Sequence, residues 1–383
     1  MTPEAPPQPA TLRFDVLDAL RGICAILVVL VHFRSNGYIA QLPVLRNGWL
    51  FVDYFFVLSG FVIAHSYGAR LASGEVSVAR FMGLRMGRIY PLHIFVLLGF
   101  LALELMLVLG GDFVARFVSR EPFTGARGLE SLTQAVFLVQ TFGVGKAWGW
   151  NVPAWSIASE IWTYFLFAFV FAVAKRHVPV VSVVLALVAG AAVMSYSPHL
   201  DVTFDGGVLR CIFGFGLGVA TYHAFRRFGT VGGSAWELAV LALTVIYTSF
   251  AEGRATFLAP FVFALMIFVL SSQRGVVSRV LSAKPFQFLG LTSYSIYMIH
   301  VFIQGRLGEV LQITRIVKIK VDAQGRTTLA GDPLVSDLVT LVMLALVIGA
   351  AWVTYRLVEV PGREFSRRLL ARPRTPDAAE AVT

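Results

Sequence analysis

Arg21 and His32 stand eleven residues apart in the apolar stretch LDALRGICAILVVLVHFR, residues 17–34. Eleven residues make just over three helical turns, so both side chains leave nearly the same face. At about 1.5 Å per residue they are separated by roughly 16 Å along the axis. Asp18, three residues before Arg21, is placed to pair with it. A neutral imidazole takes a proton from a hydroxyl, and a guanidinium holds a phosphate. Ionisable groups inside an apolar helix are costly and usually functional. The plainer alternative is that Arg21 snorkels, Asp18 neutralises it and His32 rests at an interface.

Further polar residues interrupt other apolar runs. Asp53 in FVDYFFVLSGF is a candidate to orient the imidazole, or else a helix-start acid favoured by the dipole. Ser59-Gly60 in the same run reads as a close-packing pair. Arg85 and Arg88 in RMGRIYPLH, one turn apart, suit a phosphate clamp, although basic anchoring at a membrane surface is the commoner reason for such residues. Glu160, in NVPAWSIASEIWTYFLF, lies one turn inside an apolar helix and must be paired, protonated or wetted. Ser156 precedes it, and Trp155 reads as a cavity wall or an interface anchor. Arg210 in GGVLRCIFGFGLG is placed to neutralise Glu160 or Asp205. Tyr297 and His300 in LTSYSIYMIHVFI are candidates to line a wet cavity.

The elements that carry these residues are membrane helices. The 383-residue chain is 57% hydrophobic, with a mean hydropathy of +0.74 and 14% charged residues, where soluble proteins have about a quarter. Apolar runs predict ten spans, near 15–34, 48–67, 90–110, 154–174, 178–196, 206–224, 236–250, 256–272, 286–306 and 334–357. The fold class is therefore an all-α polytopic membrane protein. A small β-hairpin turning at DAQG is expected in the long 307–335 loop, and Leu129–Phe142 is expected to lie along the interface. Residues 1–12 read as a disordered tail, 13–365 as one membrane domain and 366–383 as a second tail. Cys24 and Cys211 fall inside spans, so neither a disulfide framework nor a metal site is expected. Lys and Arg concentrate on the segments that share a side with the termini, among them Arg70, Arg80, Lys175, Arg176, Arg226, Arg227, Arg367 and Arg368. Both termini are thus expected in the cytoplasm. The net charge of +10 then reflects a basic membrane face, not nucleic-acid binding.

On that orientation Arg21, Arg85 and Arg88 lie at the inner surface. His32, Asp53, Ser156, Glu160, Arg210 and His300 lie in the outer half. The pattern is a slot across the bilayer, cationic inside and acid–base outside. Coenzyme A has a matching shape: a phosphate-rich nucleotide, a thin arm and a thioester.

The motifs carry a resemblance as well. RGICAILVVLVH resembles the Arg/Lys-x10-His motif of the membrane-bound acyltransferase-3 family, and FFVLSGF, RMGRIYP, WSIASE, SYSIYMIH and the closing VEVPGREF resemble its later blocks in order. The resemblance spans about residues 12–365. It implies a bacterial inner-membrane enzyme that moves an acyl group, often acetyl, from acyl-coenzyme A to a hydroxyl of an extracytoplasmic acceptor such as a surface polysaccharide. It matches His32 to the family's essential histidine, Arg21 to its first-helix arginine and Arg85/Arg88 to its Arg-x-x-Arg pair. Phe51 stands where the family usually has glycine, so acceptor identity does not transfer. In the mechanism expected here, His32 is the general base; an acyl-histidine intermediate is the open variant, and the sequence does not choose between it and direct transfer. Asp53 or Glu160 orients it, and Ser156 or a tyrosine serves the oxyanion. The competing reading is a transporter or flippase with no acyl transfer. It lacks support from paired Gly/Pro-broken helices in matching halves.

Overall fold

The computed structural model describes residues 13–115, 121–143, 149–229, 231–321 and 327–371, with side chains throughout except at 111–115 and 321. The expected tail at 1–12, the last twelve residues and the DAQG turn lie outside the described residues. Each of the ten expected spans falls on a helix. These are α1 (Asp15–His32), α2 (Phe51–Ile63), α3 (Val78–Ala115), α5 (Ala154–Ala174), α6 (Val178–Tyr196), α7 (Gly207–Phe228), α8 (Ser234–Phe250), α9 (Ala259–Leu270), α10 (Lys284–Thr314) and α11 (Pro333–Thr354). The short α4 (Leu129–Phe137) precedes α5, and α12 (Val360–Leu369) follows α11. Among the described residues seven helical stretches are long and apolar enough to cross a membrane, α5 and α6 forming one of them. α1 is diluted by Asp15, Asp18 and Arg21, and α8 has 17 residues. The protein is an all-α polytopic membrane protein, with one two-stranded sheet among the described residues.

Small residues set the helix contacts. A Cβ added at Gly22 of α1 would lie 2.4 Å from the Leu289 backbone, and one at Gly290 of α10 would lie 2.3 Å from the Asp18 carbonyl oxygen. The two helices therefore cross nearly backbone to backbone, as small residues permit in lipid. Gly60 of α2 and Gly214 and Gly218 of α7 make an equally close crossing against Phe215, Phe56 and Val57.

Aromatic contacts fix the ends of the bundle. Phe14, just before α1, meets Phe61 near the end of α2 at 5.1 Å and Phe225 near the end of α7 at 5.6 Å. The start of α1 and the ends of α2 and α7 thus share one end, called here the arginine end. The rings of His32 and His300 meet at the opposite end, called the histidine end.

Two expectations about elements are corrected. Arg85 and Arg88 do not lie in a loop: α3 begins at Val78 and continues through Pro91. Proline forfeits one helical hydrogen bond, which neighbouring helices in a membrane bundle can offset. The long loop after α10 is also shorter than expected, because α10 runs to Thr314. The hairpin itself is present as β1 (Ile319–Val321) antiparallel to β2 (Thr327–Leu329). Leu329 of β2 exchanges backbone hydrogen bonds with Arg34 and Asn36, just after His32. Asn36 Nδ2 donates to the Gly331 carbonyl at 2.7 Å, and the Asp337 carboxylate accepts from the amides of Tyr38 and Ile39. The hairpin and the first turns of α11 therefore brace the chain where it leaves α1.

Candidate active site

The Gly22–Gly290 crossing carries Arg21 against α10. Its Nε donates to Ser293 Oγ at 2.8 Å, one terminal nitrogen donates to the Gly290 carbonyl at 2.9 Å, and the other pairs with Asp18 at 3.0 Å. Arg85 on α3 reaches Tyr67 Oη at 3.1 Å, with its guanidinium carbon 4.8 Å from that ring's centre. Tyr67 sits in a π-helical turn, Ala64–Gly68, that continues α2; such turns occur often at functional sites. Arg88, one turn after Arg85, makes no hydrogen bond or ion pair among the described residues. All three arginines line one cavity, which extends past Ser59, Glu160 and Tyr164 to Ser156 and Tyr297. Its volume is about 110 Å³, and a water needs on the order of 10–15 Å³ by such a measure. The cavity admits a file of waters or a thin arm, not a nucleotide.

Glu160 on α5 is paired through hydroxyls. Ser59 and Tyr164 both donate to its Oε1, Tyr164 at 2.5 Å. Arg210 does not neutralise it. Instead, Arg210 forks onto Asp53, Nε to Oδ1 at 3.0 Å and a terminal nitrogen to Oδ2 at 2.8 Å, with both side chains fully enclosed. The guanidinium lies between the rings of Trp49 and Trp155, 5.0 and 5.3 Å from their centres, and donates further to the carbonyls of Trp49 and Val202. Trp155 is accordingly a buried stacking partner. Asp205 accepts from the Thr203 amide.

The orientation of His32 therefore differs from expectation. No hydrogen bond joins it to Asp53 or Glu160 among the described residues. Its Nδ1 lies 2.8 Å from the Val28 carbonyl oxygen, one turn back on α1. Both oxygens of Asp53 are taken up by Arg210, and the helix supplies the acceptor that the carboxylate was expected to supply. The His32 side chain is exposed at the end of α1, and its ring packs edge to face on His300 with centroids 5.0 Å apart. His300 is fully buried; its Nδ1 lies 2.7 Å from the Tyr297 carbonyl oxygen, and its Nε2 has no partner among the described residues. Tyr297 closes the sequence: its ring lies 5.9 Å from that of His300, and its hydroxyl lies 2.8 Å from Ser156 Oγ. Ser156 also donates to the Pro153 carbonyl at 3.0 Å. Serine has one proton to give, so Tyr297 is the donor between the two hydroxyls. Neither hydroxyl is a free oxyanion donor in this arrangement. The slot reaches Tyr297, with His300 and His32 behind it.

Three polar participants were not singled out from the sequence. Ser59 was grouped with Gly60 as a packing residue, but only Gly60 packs; Ser59 turns to Glu160. Tyr164 lies one turn after Glu160, and that i, i+4 spacing was the available signal. Glu359 is buried at the end of a second π-helical turn, Tyr355–Glu359, and accepts from Ser295 at 2.8 Å. It falls in the VEVPGREF block, but nothing in that block marks the contact with Ser295. Among the described residues no group of three or more His, Cys, Asp or Glu is placed to hold a metal.

Comparison with known proteins agrees with this architecture. The family model described as Acyltransferase domain (Acyl_transf_3) matches residues 14–356. The chain is 31% identical over 173 residues to Protein 2 in picA locus of Rhizobium radiobacter, covering 41% of this chain and 80% of that protein. It is 30% identical over 169 residues to Acyltransferase MdmB of Streptomyces mycarofaciens, covering 42% of this chain and 39% of that protein. No solved structure matches the chain. The family match runs through every helix from α1 to α11 and takes in Arg21, His32 and the Arg85/Arg88 pair: the chain belongs to the acyltransferase-3 family and is a membrane acyltransferase.

Proposed function

We propose that the protein transfers an acyl group, acetyl in the simplest case, from cytoplasmic acyl-coenzyme A to a hydroxyl of an extracytoplasmic acceptor. The acceptor class is a cell-surface polysaccharide or its lipid-linked precursor, and the membrane is the bacterial inner membrane with both termini in the cytoplasm. In enzyme-class terms it transfers groups other than amino-acyl groups. The observation that carries this reading is the cavity leading from Arg21, Arg85 and Arg88 to Tyr297, two rings away from His32.

The phosphates of the donor face the arginine end, where Arg88 and the remaining donors of Arg85 are available; Arg21 is already engaged and serves chiefly as fixed positive charge. The pantetheine arm follows the slot past Glu160, and the thioester reaches the histidine end. His32 Nε2 takes the acceptor's proton as the hydroxyl oxygen attacks the thioester carbonyl. The C–O bond forms, the C–S bond breaks, and the departing thiolate recovers the proton from the imidazolium. Passage beyond Tyr297 requires its hydroxyl to leave Ser156, a change that also frees a donor for the oxyanion.

The test uses purified protein in detergent with labelled acetyl-coenzyme A and an oligosaccharide acceptor. Acceptor-dependent release of free coenzyme A with label on the oligosaccharide is the expected result. Movement of the glycan across reconstituted vesicles with no thioester consumed would establish the transporter instead.

A further inference from the structure

A second concavity lies at the arginine end but outside the acyl-transfer slot. It is a groove of about 950 Å³ between the short helix Ala69–Ala72, the α5–α6 junction and the last turns of α7. Its walls are apolar, with Phe171, Val180, Val183 and Val184 among them, and its rim carries Lys175, Arg226 and Arg227. None of the three cations has an ion pair among the described residues, and Lys175 and both arginines are exposed. His223, on the same wall, has an Nε2 with no hydrogen-bond partner among the described residues. Cations gathered without counter-ions at the mouth of an apolar groove, where helices leave the bilayer, are complementary to one chemistry: a phosphate carried on acyl chains.

We infer that this groove binds an anionic phospholipid of the surrounding bilayer, with its phosphate on Lys175, Arg226 and Arg227 and an acyl chain along Val180–Val184. The site lies at the opposite end of the bundle from His32, so its lipid is a bound companion and not an acceptor for the acyl group. Its occupancy does not depend on the reading of the acyl-transfer slot.

The experiment is native mass spectrometry of the full-length protein with phosphatidylglycerol or phosphatidylcholine of identical chains, with glycerol phosphate as soluble competitor. Phosphatidylglycerol is retained preferentially. Each cation replaced in K175Q, R226Q and R227Q lowers that retention about fivefold, the equivalent of the contribution of one basic residue near an anionic surface. Val184→Trp, which fills the apolar wall and leaves the charge intact, lowers it as well. Circular dichroism and size-exclusion profiles confirm that each variant remains folded. Equal retention of the two lipids, or a triple variant that holds phosphatidylglycerol like the parent, overturns the inference. So does displacement of the lipid by millimolar glycerol phosphate, which would make the groove a simple anion site.

Discussion

His32 Nδ1 lies 2.8 Å from the carbonyl oxygen of Val28. A carbonyl only accepts, so Nδ1 carries the proton and the lone pair of the neutral ring is left on Nε2. A peptide oxygen within a helix is a fixed partner, and it selects the tautomer without a carboxylate. His32→Gln should reduce acetyl transfer by about 10²–10⁴-fold, the usual worth of a positioned base. The melting temperature in detergent should stay that of the parent. Label transfer at the parental rate by this variant would remove His32 from the chemistry.

Asp53 and Arg210 form a buried forked pair beside two indole rings. Asp53→Asn leaves the buried guanidinium with only the half-exposed Asp201 carboxylate, 3.4 Å away, as counter-charge and should cost about 3–5 kcal/mol of stability. Adding Arg210→Gln should cost less than the sum of the two single changes. Thermal unfolding of the three variants measures this. A fall in turnover with unchanged unfolding would instead assign Asp53 to the imidazole.

Arg88 should report on the donor. Loss of a charged hydrogen bond is worth about 1.5–3 kcal/mol, so Arg88→Ala should raise the KM for acetyl-coenzyme A roughly tenfold or more and leave the acceptor KM near its parental value. A variant with both constants unchanged would take phosphate binding away from this residue. Arg21→Ala differs in kind: it also strips partners from Ser293 and Gly290 and should lower stability together with donor affinity.

Glycines on α10 offer an internal contrast. Gly290→Ala forces a methyl to 2.3 Å from the Asp18 carbonyl oxygen. Backbone cannot yield there, so a loss of at least about 1–3 kcal/mol is expected. Gly305 has none of the described residues within 4 Å of an added Cβ, and Gly305→Ala should be neutral or stabilising by about 0.5–1 kcal/mol. If both changes prove equally mild by thermal unfolding, the tight crossing is wrong.

The helices were legible because lipid demands long apolar runs and charged residues interrupt them visibly. The members of the site were legible for the same reason: Arg21, Glu160, Arg210 and His300 are conspicuous inside such runs. Their partners were not. Asp53 and Arg210 are 157 residues apart in the chain, and depth alone could not decide between Asp53 and Glu160 as the partner of His32. The acceptor that His32 uses is a peptide oxygen, to which no residue type gives a clue. The start of α3 was not legible, because Val78–Ile89 is rich in arginine and glycine and reads as the end of no apolar run.

α1 and α10 touch at both ends of their overlap, through Arg21 with Gly290 and Ser293 at one and through Gln304 Nε2 with the Val29 carbonyl at the other. A rod pinned twice to its neighbour cannot stretch. The distance between the Arg21 guanidinium and the His32 imidazole is then a ruler cut into a single helix. Inserting one residue between Cys24 and Val28 would lengthen that ruler by about 1.5 Å and swing His32 through about 100°, so a register error of one residue would uncouple the two ends of the molecule although every side chain was retained.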